Sequence, residues 1–447
     1  SETALYEKGA LAKLLRNVDL LTIHPGIKRI KKGALGSYHF TRLKAPFLPT
    51  DTDLGDQVAD RQKELVEFEL TDPNYDISLE DLRKYENLKS VKVSAEGSRY
   101  ETEDGVLYDK RKGRLLFYPR KKEDKSFTVK AGTRSIAPLA FRGCNNLVSL
   151  TLPDSVTEMG EQSICYCQNL ESLWLSDGIR IVPDYTEGDD GIGTISNNGK
   201  LNTVHLPMKL QYLGNECFYN THISKVFLPE GLLYLGNYAL STAYLQEVVL
   251  PKSLRMAGMG SLVYVKRVTA YEGTAKGLVK ALNLRSDPKK KISTWSSIWV
   301  TMLGENGEKK GLFYIPAGAK GQANIQELLA FAWDASSFDY DLYQEAYDMM
   351  KSGDEKILMA LILVIYGGKE EIRPFVKKSS KKAGELLVNL GDLSFFKAYL
   401  DLDILSKPSA TALLTMCNEK GNSDFAAYLM DYRDSHLKTR SFSKFDL

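Results

Sequence analysis

The residue types that most often carry catalysis are few in this chain of 447 residues, and their spacing forms no known catalytic pattern. The five histidines fall in unrelated contexts, at His24, His39, His205, His222 and His436. Neither a phosphate-cradling glycine loop nor a nucleophile elbow accompanies them. The sequence therefore predicts a protein that is not an enzyme and that uses no cofactor.

Cysteines and clustered acids are the other residues that could hold a metal. Cys165 and Cys167 lie two residues apart, but no second cysteine pair follows at zinc spacing. The odd total of five cysteines favours reduced thiols over a disulfide scaffold. Since Cys144 and Cys167 occupy equivalent positions in a repeat described below, we expect both to be packing residues.

One segment is rich in carboxylates that could offer oxygen ligands to calcium, namely Asp184, Glu187, Asp189 and Asp190. Their spacing fits no defined calcium loop. We therefore expect a solvated, mobile insertion here and no bound metal.

A repeated pattern positions the remaining side chains. Segments of the form polar-Leu-x-x-apolar-x-apolar end at Leu152, Leu175, Leu206, Leu228 and Leu250, mostly 22 or 23 residues apart. Weaker copies end at Ala45, Leu70, Val93, Val129 and Ala270. A fixed period of this length predicts a solenoid of stacked coils, each of which buries its apolar face against its neighbours.

Each copy alternates as a short strand does, so that Leu150 and Leu152 point inward and Thr151 points outward. Between the strands, the segments 214–218 and 236–240 each carry glycine and a second apolar pair. They suit a turn followed by a short helical return. One coil is therefore predicted to be one strand and one return.

The outward positions of successive strands form a column on the open face of the sheet. By alignment they are Thr128, Thr151, Trp174, His205, Phe227, Val249 and Thr269. Neighbouring strands are about 4.8 Å apart, so the three aromatic rings would form one continuous apolar surface. Exposed aromatic clusters mark interaction sites, and we expect Thr151, Trp174, His205, Phe227 and Val249 to bind a partner. In the alternative interpretation, the 183–199 loop or the C-terminal domain covers these rings as an additional core.

The repeats resemble a known family. Residues 140–147 followed by 152–160 are similar to the BspA-type leucine-rich repeats of bacterial surface and host-interaction proteins. Residues 100–108, leading to 115–119, resemble the hairpin-forming extension that interrupts such arrays. The resemblance implies a right-handed leucine-rich-repeat solenoid that binds a protein or other macromolecule, and a role in adhesion or host interaction.

Charge and hydropathy exclude several classes of partner. Lys plus Arg number 59 against 57 Asp plus Glu, and the net charge of +2 provides no global field toward nucleic acid or anionic lipid. Basic runs such as 120–122 and 289–291 are expected to solvate turns and sheet edges. The longest apolar run, 357–366, is about half the roughly 20 residues that a membrane-spanning helix needs, so it predicts a buried core helix.

The pattern changes beyond residue 285. Asn306 and Gly307 between apolar runs predict a β-hairpin, and helical periodicity follows from Gln322 onward. Gly353, Gly391 and Gly421 each introduce an apolar helix, which gives the C-terminal part a weak likeness to ankyrin repeats. We expect the hairpin to cap the last coil, around Val263, Val265 and Val268, and to tie it to the helices through Trp295, Trp299, Phe313 and Tyr314.

The predicted fold class is α/β, with the chain divided into a capping helix (1–19), a leucine-rich-repeat solenoid (20–285), a hairpin (286–320) and an all-α helical-repeat domain (321–447). As written, the chain shows no signal or anchor and would be cytoplasmic, whereas the resemblance implies a surface protein from which a leader was removed. The competing function is an intracellular scaffold whose helical domain docks partners. The identity of the protein partner and the oligomeric state stay open.

Overall fold

The computed structural model describes residues 3–50, 63–185, 191–282, 297–319 and 322–436. The chain falls into two compact units. The first comprises Ser1–Tyr264 with Ala281–Asn283, and the second comprises Val265–Lys280 with Leu284–Leu447. The division therefore comes before residue 285, where the sequence pattern placed the end of the solenoid.

The first unit begins with a β-hairpin, and the expected capping helix at 1–19 is wrong. Strand Ala4–Glu7 pairs antiparallel with strand Ala10–Leu14, and Glu7 lies opposite Ala10. The two loop residues, Lys8 and Gly9, both have positive φ, as the tightest type of hairpin turn requires. The turn residues decided the structure here, since Gly9 at this position favours a reversal over a helix.

A parallel ladder of short strands forms the predicted repeat face of the solenoid. Its anchors are buried as expected, with Leu152, Leu175 and Leu250 at most 1% exposed. The ladder has a first group of four strands, Leu20–Thr22, Arg42–Ala45, Glu67–Leu70 and Ser90–Val93. A second group contains Ser126–Thr128, Ser149–Thr151, Ser172–Trp174 and Thr203–His205. Strand Glu247–Val249 occupies the corresponding position in a later coil.

The returns form a second parallel ladder, and the expected helical returns at 214–218 and 236–240 are wrong. Two-residue strands pair in register through Ile181–Val182, Tyr212–Leu213, Tyr234–Leu235 and Met256–Ala257. Earlier coils contribute Arg29–Ile30, Ser135–Ile136 and Glu158–Met159 to the same kind of pairing. In a helix, the backbone amides would donate hydrogen bonds to carbonyls of the same coil. Instead, the amides of Glu216 and Phe218 donate to carbonyls of the next coil, at 2.8 and 2.9 Å.

Glycines stand directly after the second-ladder strands in several coils. A Cβ built on Gly236 would lie 2.6 Å from the backbone carbon of Gly214, and one on Gly258 would lie 2.6 Å from that of Gly236. A Cβ built on Gly160 would clash with Pro138 in the same way. Because these distances leave no room for a side chain, the column of glycines lets successive coils approach closely enough to pair.

The predicted extension interrupts the array as three antiparallel strands. They are Tyr100–Glu103, Val106–Asp109 and Arg114–Phe117. Arg114–Phe117 also pairs in parallel with Ser135–Ile136, so the extension joins the second ladder. A short helix, Leu79–Lys84, precedes it, capped by the Ser78 hydroxyl, which accepts the amide of Asp81.

The segment that departs from the repeat pattern is packed into the solenoid. Within its described part, Ile195 and Asn198 are fully buried. The side-chain amide of Asn198 accepts a hydrogen bond from the backbone N–H of Cys167 and donates to the backbone carbonyls of Ile164 and Ile195, each at 2.7 Å. A buried side chain thus adds to the backbone hydrogen bonds that join the two coils, in which the amides of Ile164 and Tyr166 donate to the carbonyls of Thr194 and Ser196.

The second unit contributes three strands to one sheet. Strand Arg267–Tyr271 pairs in parallel with Ile298–Leu303, which forms the predicted hairpin with Lys309–Ile315. Thr269, the last member of the outward column, lies opposite Thr301 in this sheet. The short helix Leu278–Ala281 follows.

Aromatic side chains join the hairpin to the helices. The Phe313 ring lies 5.6 Å from the rings of Trp333 and Tyr343, and the Tyr343 hydroxyl donates to the Tyr314 carbonyl at 3.0 Å. Trp299 contacts Tyr314, with ring centroids 4.5 Å apart. The hairpin therefore packs on the helical part as predicted, while Trp295 lies outside the described residues.

Beyond the hairpin, the described residues of the second unit are helical, as predicted. Its α-helices are Ala323–Asp334, Tyr340–Met349, Asp354–Ile365, Arg373–Lys378, Ser380–Leu390, Leu393–Leu400, Lys407–Glu419 and Ser423–His436. Two short 3₁₀ turns lie at Ala317–Ala319 and Glu370–Ile372. Gly391 and Gly421 have positive φ and separate consecutive helices.

The apolar run at 357–366 forms most of one buried helix. Within Asp354–Ile365, every residue from Ile357 to Val364 is buried. Across the described ranges, the structure holds no helix that combines the length and hydropathy required to cross a bilayer.

Candidate functional site

The outward column lies on the first ladder, as the alternation predicts. Thr151 is opposite Trp174, and Trp174 is opposite His205, in parallel register. Trp174 is 52% exposed, Phe227 69% and Val249 62%, whereas Thr151 and His205 are half-buried. The strand face of the first unit thus presents large apolar side chains to solvent.

Trp174 and His205 stack on each other. Their ring centroids are 3.9 Å apart and the ring planes differ by 11°. The His205 Nε2 atom lies 3.4 Å from the Asp177 Oδ1 atom, which also accepts the amide of Met208 at 2.9 Å. That amide is the main reason that the pKa of Asp177 is lowered, with His205 contributing further. Asp177 therefore holds His205, and His205 supports one face of the exposed tryptophan.

The coil that carries Phe227 differs from its neighbours. Residues 222–228 have no regular strand, although Ile223 and Leu228 remain buried at the repeat positions. His222 stacks on the 48% exposed Tyr244, with centroids 4.1 Å apart. A second supported aromatic ring therefore lies in the neighbouring coil, a feature that the outward alternation does not predict.

The residues described around the column do not cover it. In the proposed covering loop, Ile192 and Ile195 are at most 6% exposed, since they contribute to the core of the solenoid. Residues 186–190 of that loop lie outside the described residues. The exposed fractions of Trp174 and Phe227 favour an open face over an additional core.

A second exposed column was missed by the sequence reasoning. It follows the outward positions of the second ladder, where Ile181, Tyr212, Tyr234 and Met256 are aligned in register. Ile181 is 55% exposed and Met256 52%. The signal was the apolar pair directly before each glycine, at Tyr212–Leu213 and Tyr234–Leu235, whereas the predicted return began at the glycine itself.

The acidic segment does not present Asp184 to a metal. The Asp184 carboxylate accepts the Tyr212 hydroxyl at 2.7 Å and the Asn215 amide at 2.5 Å. Glu187, Asp189 and Asp190 lie outside the described residues. Among the residues that the structure does describe, no group of three His, Cys, Asp or Glu side chains could hold a metal ion.

The five cysteines are free and buried. The Cys167 Sγ atom contacts the Phe141 carbonyl at 3.0 Å, and that of Cys144 contacts the Tyr118 carbonyl at 3.7 Å. Burial raises the pKa of Cys165 to about 12 and that of Cys144 well above its usual value. Thiols in this state pack as small apolar residues and are poor nucleophiles.

Comparison with known proteins agrees with the repeat geometry. Residues 116–186 and 192–270 match the family model "BspA type Leucine rich repeat region", in six copies. No curated protein matches the chain.

Several solved structures are similar to part of this chain. A leucine-rich cell surface protein from Faecalibacterium prausnitzii is 18% identical, with 57% of this chain and 60% of that chain covered and a TM-score of 0.30. A leucine-rich repeat protein from Bacteroides ovatus is 14% identical, with 61% and 69% covered and a TM-score of 0.35. The pneumococcal vaccine antigen PcpA is 14% identical, with 59% and 71% covered and a TM-score of 0.30. This chain thus spans less than two thirds of the first of these proteins.

Repeats of this type form protein-interaction modules and are typically non-catalytic. The exposed strand face and the buried repeat anchors are consistent with that role. Residues 116–186 and 192–270 of this chain are therefore leucine-rich repeats of the BspA type.

Proposed function

We propose that this chain is a non-catalytic binding module that recognises a protein partner through the strand face of its solenoid, with Trp174 and Phe227 as the main contact residues. The observation that carries the proposal is the Trp174 ring, which is 52% exposed yet stacked on His205. Thr151, His205 and Val249 complete the contact surface. No cofactor or metal takes part.

The stack favours binding because it fixes the tryptophan before the partner arrives. A free side chain loses about 0.5–1.5 kcal/mol of conformational freedom when it is immobilised at an interface. His205, held by Asp177, supplies part of that order in advance. Trp174 therefore resembles the rigid aromatic anchors that dominate interfaces, while Asp177 and His205 provide a polar rim.

The expected loss of binding free energy on mutation follows from what exposed aromatic anchors contribute to an interface. Truncation of a central aromatic anchor typically costs about 2 kcal/mol or more, which corresponds to roughly a thirtyfold weaker complex. Phe227 is more exposed than Trp174, and no aromatic ring among the residues that the structure describes stacks on it, so its truncation should cost less.

The experiment compares cross-linked partner recovery for the wild type and for Trp174→Ala with Phe227→Ala. Ile181→Ala and Phe331→Ala are matched controls, since both remove a large apolar side chain that is 55% exposed, one on the second ladder and one in the helical domain. We expect the double variant alone to lose the partner. Full recovery with the double variant would refute the proposal, and loss with Phe331→Ala would favour a scaffold whose helical domain docks partners.

We extend the proposal to binding at a bacterial cell surface, in adhesion or host interaction. The membership of the repeat segment in a family that includes surface proteins supports this setting. Labelling of intact cells with an antibody against the chain tests it. Signal from permeabilised cells alone would contradict a surface location.

A further inference from the structure

Three arginines of the first unit converge on the turn at 138–143. Arg83, on the helix Leu79–Lys84, donates from Nη2 to the Pro138 carbonyl at 2.5 Å. Arg142 lies in the same turn, and Arg120 packs beside Gly143, where its Nε atom would be 3.7 Å from a Cβ built on that glycine. Three guanidinium groups from three separate coils thus share one small region of the solenoid.

Two of these side chains are held in place by neighbouring groups. Arg142 stacks over the Tyr166 ring at 5.1 Å and donates from Nη1 to the Gln162 side-chain oxygen. The Nη1 atom of Arg120 lies 3.5 Å from a carboxylate oxygen of Glu86, which is itself 60% exposed. The fixed positions favour binding, because guanidinium groups that are already ordered lose little freedom when they bind a ligand.

Arg83 is incompletely paired. Its Nε atom is buried and makes no hydrogen bond, and the acceptor that it does use is an uncharged carbonyl. Burial, and then the charges of Arg120 and Arg142, lower the pKa of Arg83 to about 10, while Glu80 acts in the opposite direction. A buried donor without a partner is costly, and like charges in one place add to that cost.

An anion beside these side chains would offset the repulsion between their like charges. Guanidinium groups bind tetrahedral oxyanions through paired, charge-assisted hydrogen bonds, and several arginines around one site match the several oxygens of such a group. Arg83, Arg120 and Arg142 are all partly exposed, so a small ion can reach them from solvent. None of these residues belongs to the aromatic column on the strand face.

We propose that Arg83, Arg120 and Arg142 form a binding site for a doubly charged oxyanion, a phosphate or sulfate group. The group can be a free ion or can be attached to a larger molecule, since both present the same oxygens. The three guanidinium groups supply the positive charge, and their partly exposed donor atoms supply the hydrogen bonds.

The test is a calorimetric titration of the full chain with inorganic phosphate, with sodium chloride at equal ionic strength as the reference. Arg83→Gln and Arg120→Gln should each weaken phosphate binding about tenfold or more, because each removes a charge-assisted hydrogen bond to the anion. Arg111→Gln is the matched control, since it removes an exposed arginine from another turn of the same unit and should change the affinity less than twofold. Circular dichroism checks that each variant folds. Arg120→Lys keeps the positive charge but loses the paired donors of the guanidinium group, so it should bind phosphate with intermediate affinity.

Two results would overturn the site. In the first, titration with phosphate releases no more heat, and stabilises the protein no more, than titration with chloride. In the second, the wild type, Arg83→Gln and Arg120→Gln bind phosphate with equal affinity. A parallel titration with phosphoserine distinguishes the sources. Tighter binding of phosphoserine than of phosphate supports a modified partner, and equal binding supports a free ion.

Discussion

Replacement of Asn198 by alanine should weaken the first unit more than any surface change near it. The Asn198 side chain is fully buried, and all of its hydrogen bonds are to backbone groups of Ile164, Cys167 and Ile195. Alanine removes the two donors and the acceptor together. One amide and two carbonyls would then be buried without these partners.

The size of the effect follows from those three groups. Each buried backbone group that loses its partner costs about 1–3 kcal/mol, and water that enters the vacated space recovers part of it. We therefore expect the free energy of unfolding to fall by about 3–6 kcal/mol. For a unit of this size, that loss corresponds to a midpoint roughly 6–12 °C lower.

Differential scanning calorimetry of the full chain measures the change, with hydrogen exchange at residues 164–167 as a local readout. Asn202→Ala is the control, since Asn202 is exposed and its side-chain amide forms hydrogen bonds with residues next to it in the sequence. Its midpoint should stay within about 1 °C of the wild type, as is usual for surface positions. If Asn198→Ala also melts within 1–2 °C of the wild type, the coils do not depend on this amide.

Two further predictions concern other parts of the chain. Asp392→Ala should cost about 1 kcal/mol at pH 7, because the Asp392 side chain caps the helix Leu393–Leu400 through the Phe395 amide at 2.9 Å. Burial acts to raise the pKa of Asp392, but the Phe395 amide, Ser394 and Lys309 together lower it. Its contribution is therefore complete above pH 4 or so and is lost as the pH falls through the lowered pKa, and acid titration of the difference between the two proteins should show the gap closing. The second prediction concerns the buried thiols, since burial keeps Cys144 and Cys165 protonated. At pH 8 they should react with a disulfide reagent roughly a hundredfold or more slowly in the native protein than in guanidinium. Fast reaction of one thiol per native chain would refute this.

Much of the repeat architecture could be predicted because it depends on periodicity. The 22–23-residue spacing places Leu152, Leu175 and Leu250 in the core and Trp174 on the open face, and the structure has them there. Inside each coil, the same spacing does not say where backbone amides bond. The returns carry helix-compatible residues, yet the Glu216 and Phe218 amides bond to the next coil, so tertiary pairing determined the structure of this segment.

The candidate site was predictable in position but not in detail. Alternation placed Trp174 and His205 on adjacent strands, whereas their parallel stacking and the support from Asp177 depend on side-chain rotamers. The convergence of Arg83, Arg120 and Arg142 could not be predicted, because these residues are far apart in sequence and meet only when coils stack. The N-terminal hairpin was missed because its signal is the two-residue turn at Lys8 and Gly9, which a helical interpretation of Ser1 to Arg16 passed over.

The glycine column at Gly160, Gly214, Gly236 and Gly258 has a consequence for how such a chain can change in length. Each glycine brings one coil into register with the one before it, with no space for a Cβ between them. An insertion of one residue ahead of Gly236 would place Leu235 at the close contact and shift both ladders of every later coil. Gain or loss of a complete 22-residue coil keeps every glycine against its predecessor. The solenoid should therefore tolerate duplication or deletion of whole coils between relatives, with single-residue insertions confined to the outward turns, and a strand face of different length, carrying more or fewer aromatic positions, can arise in one genetic step.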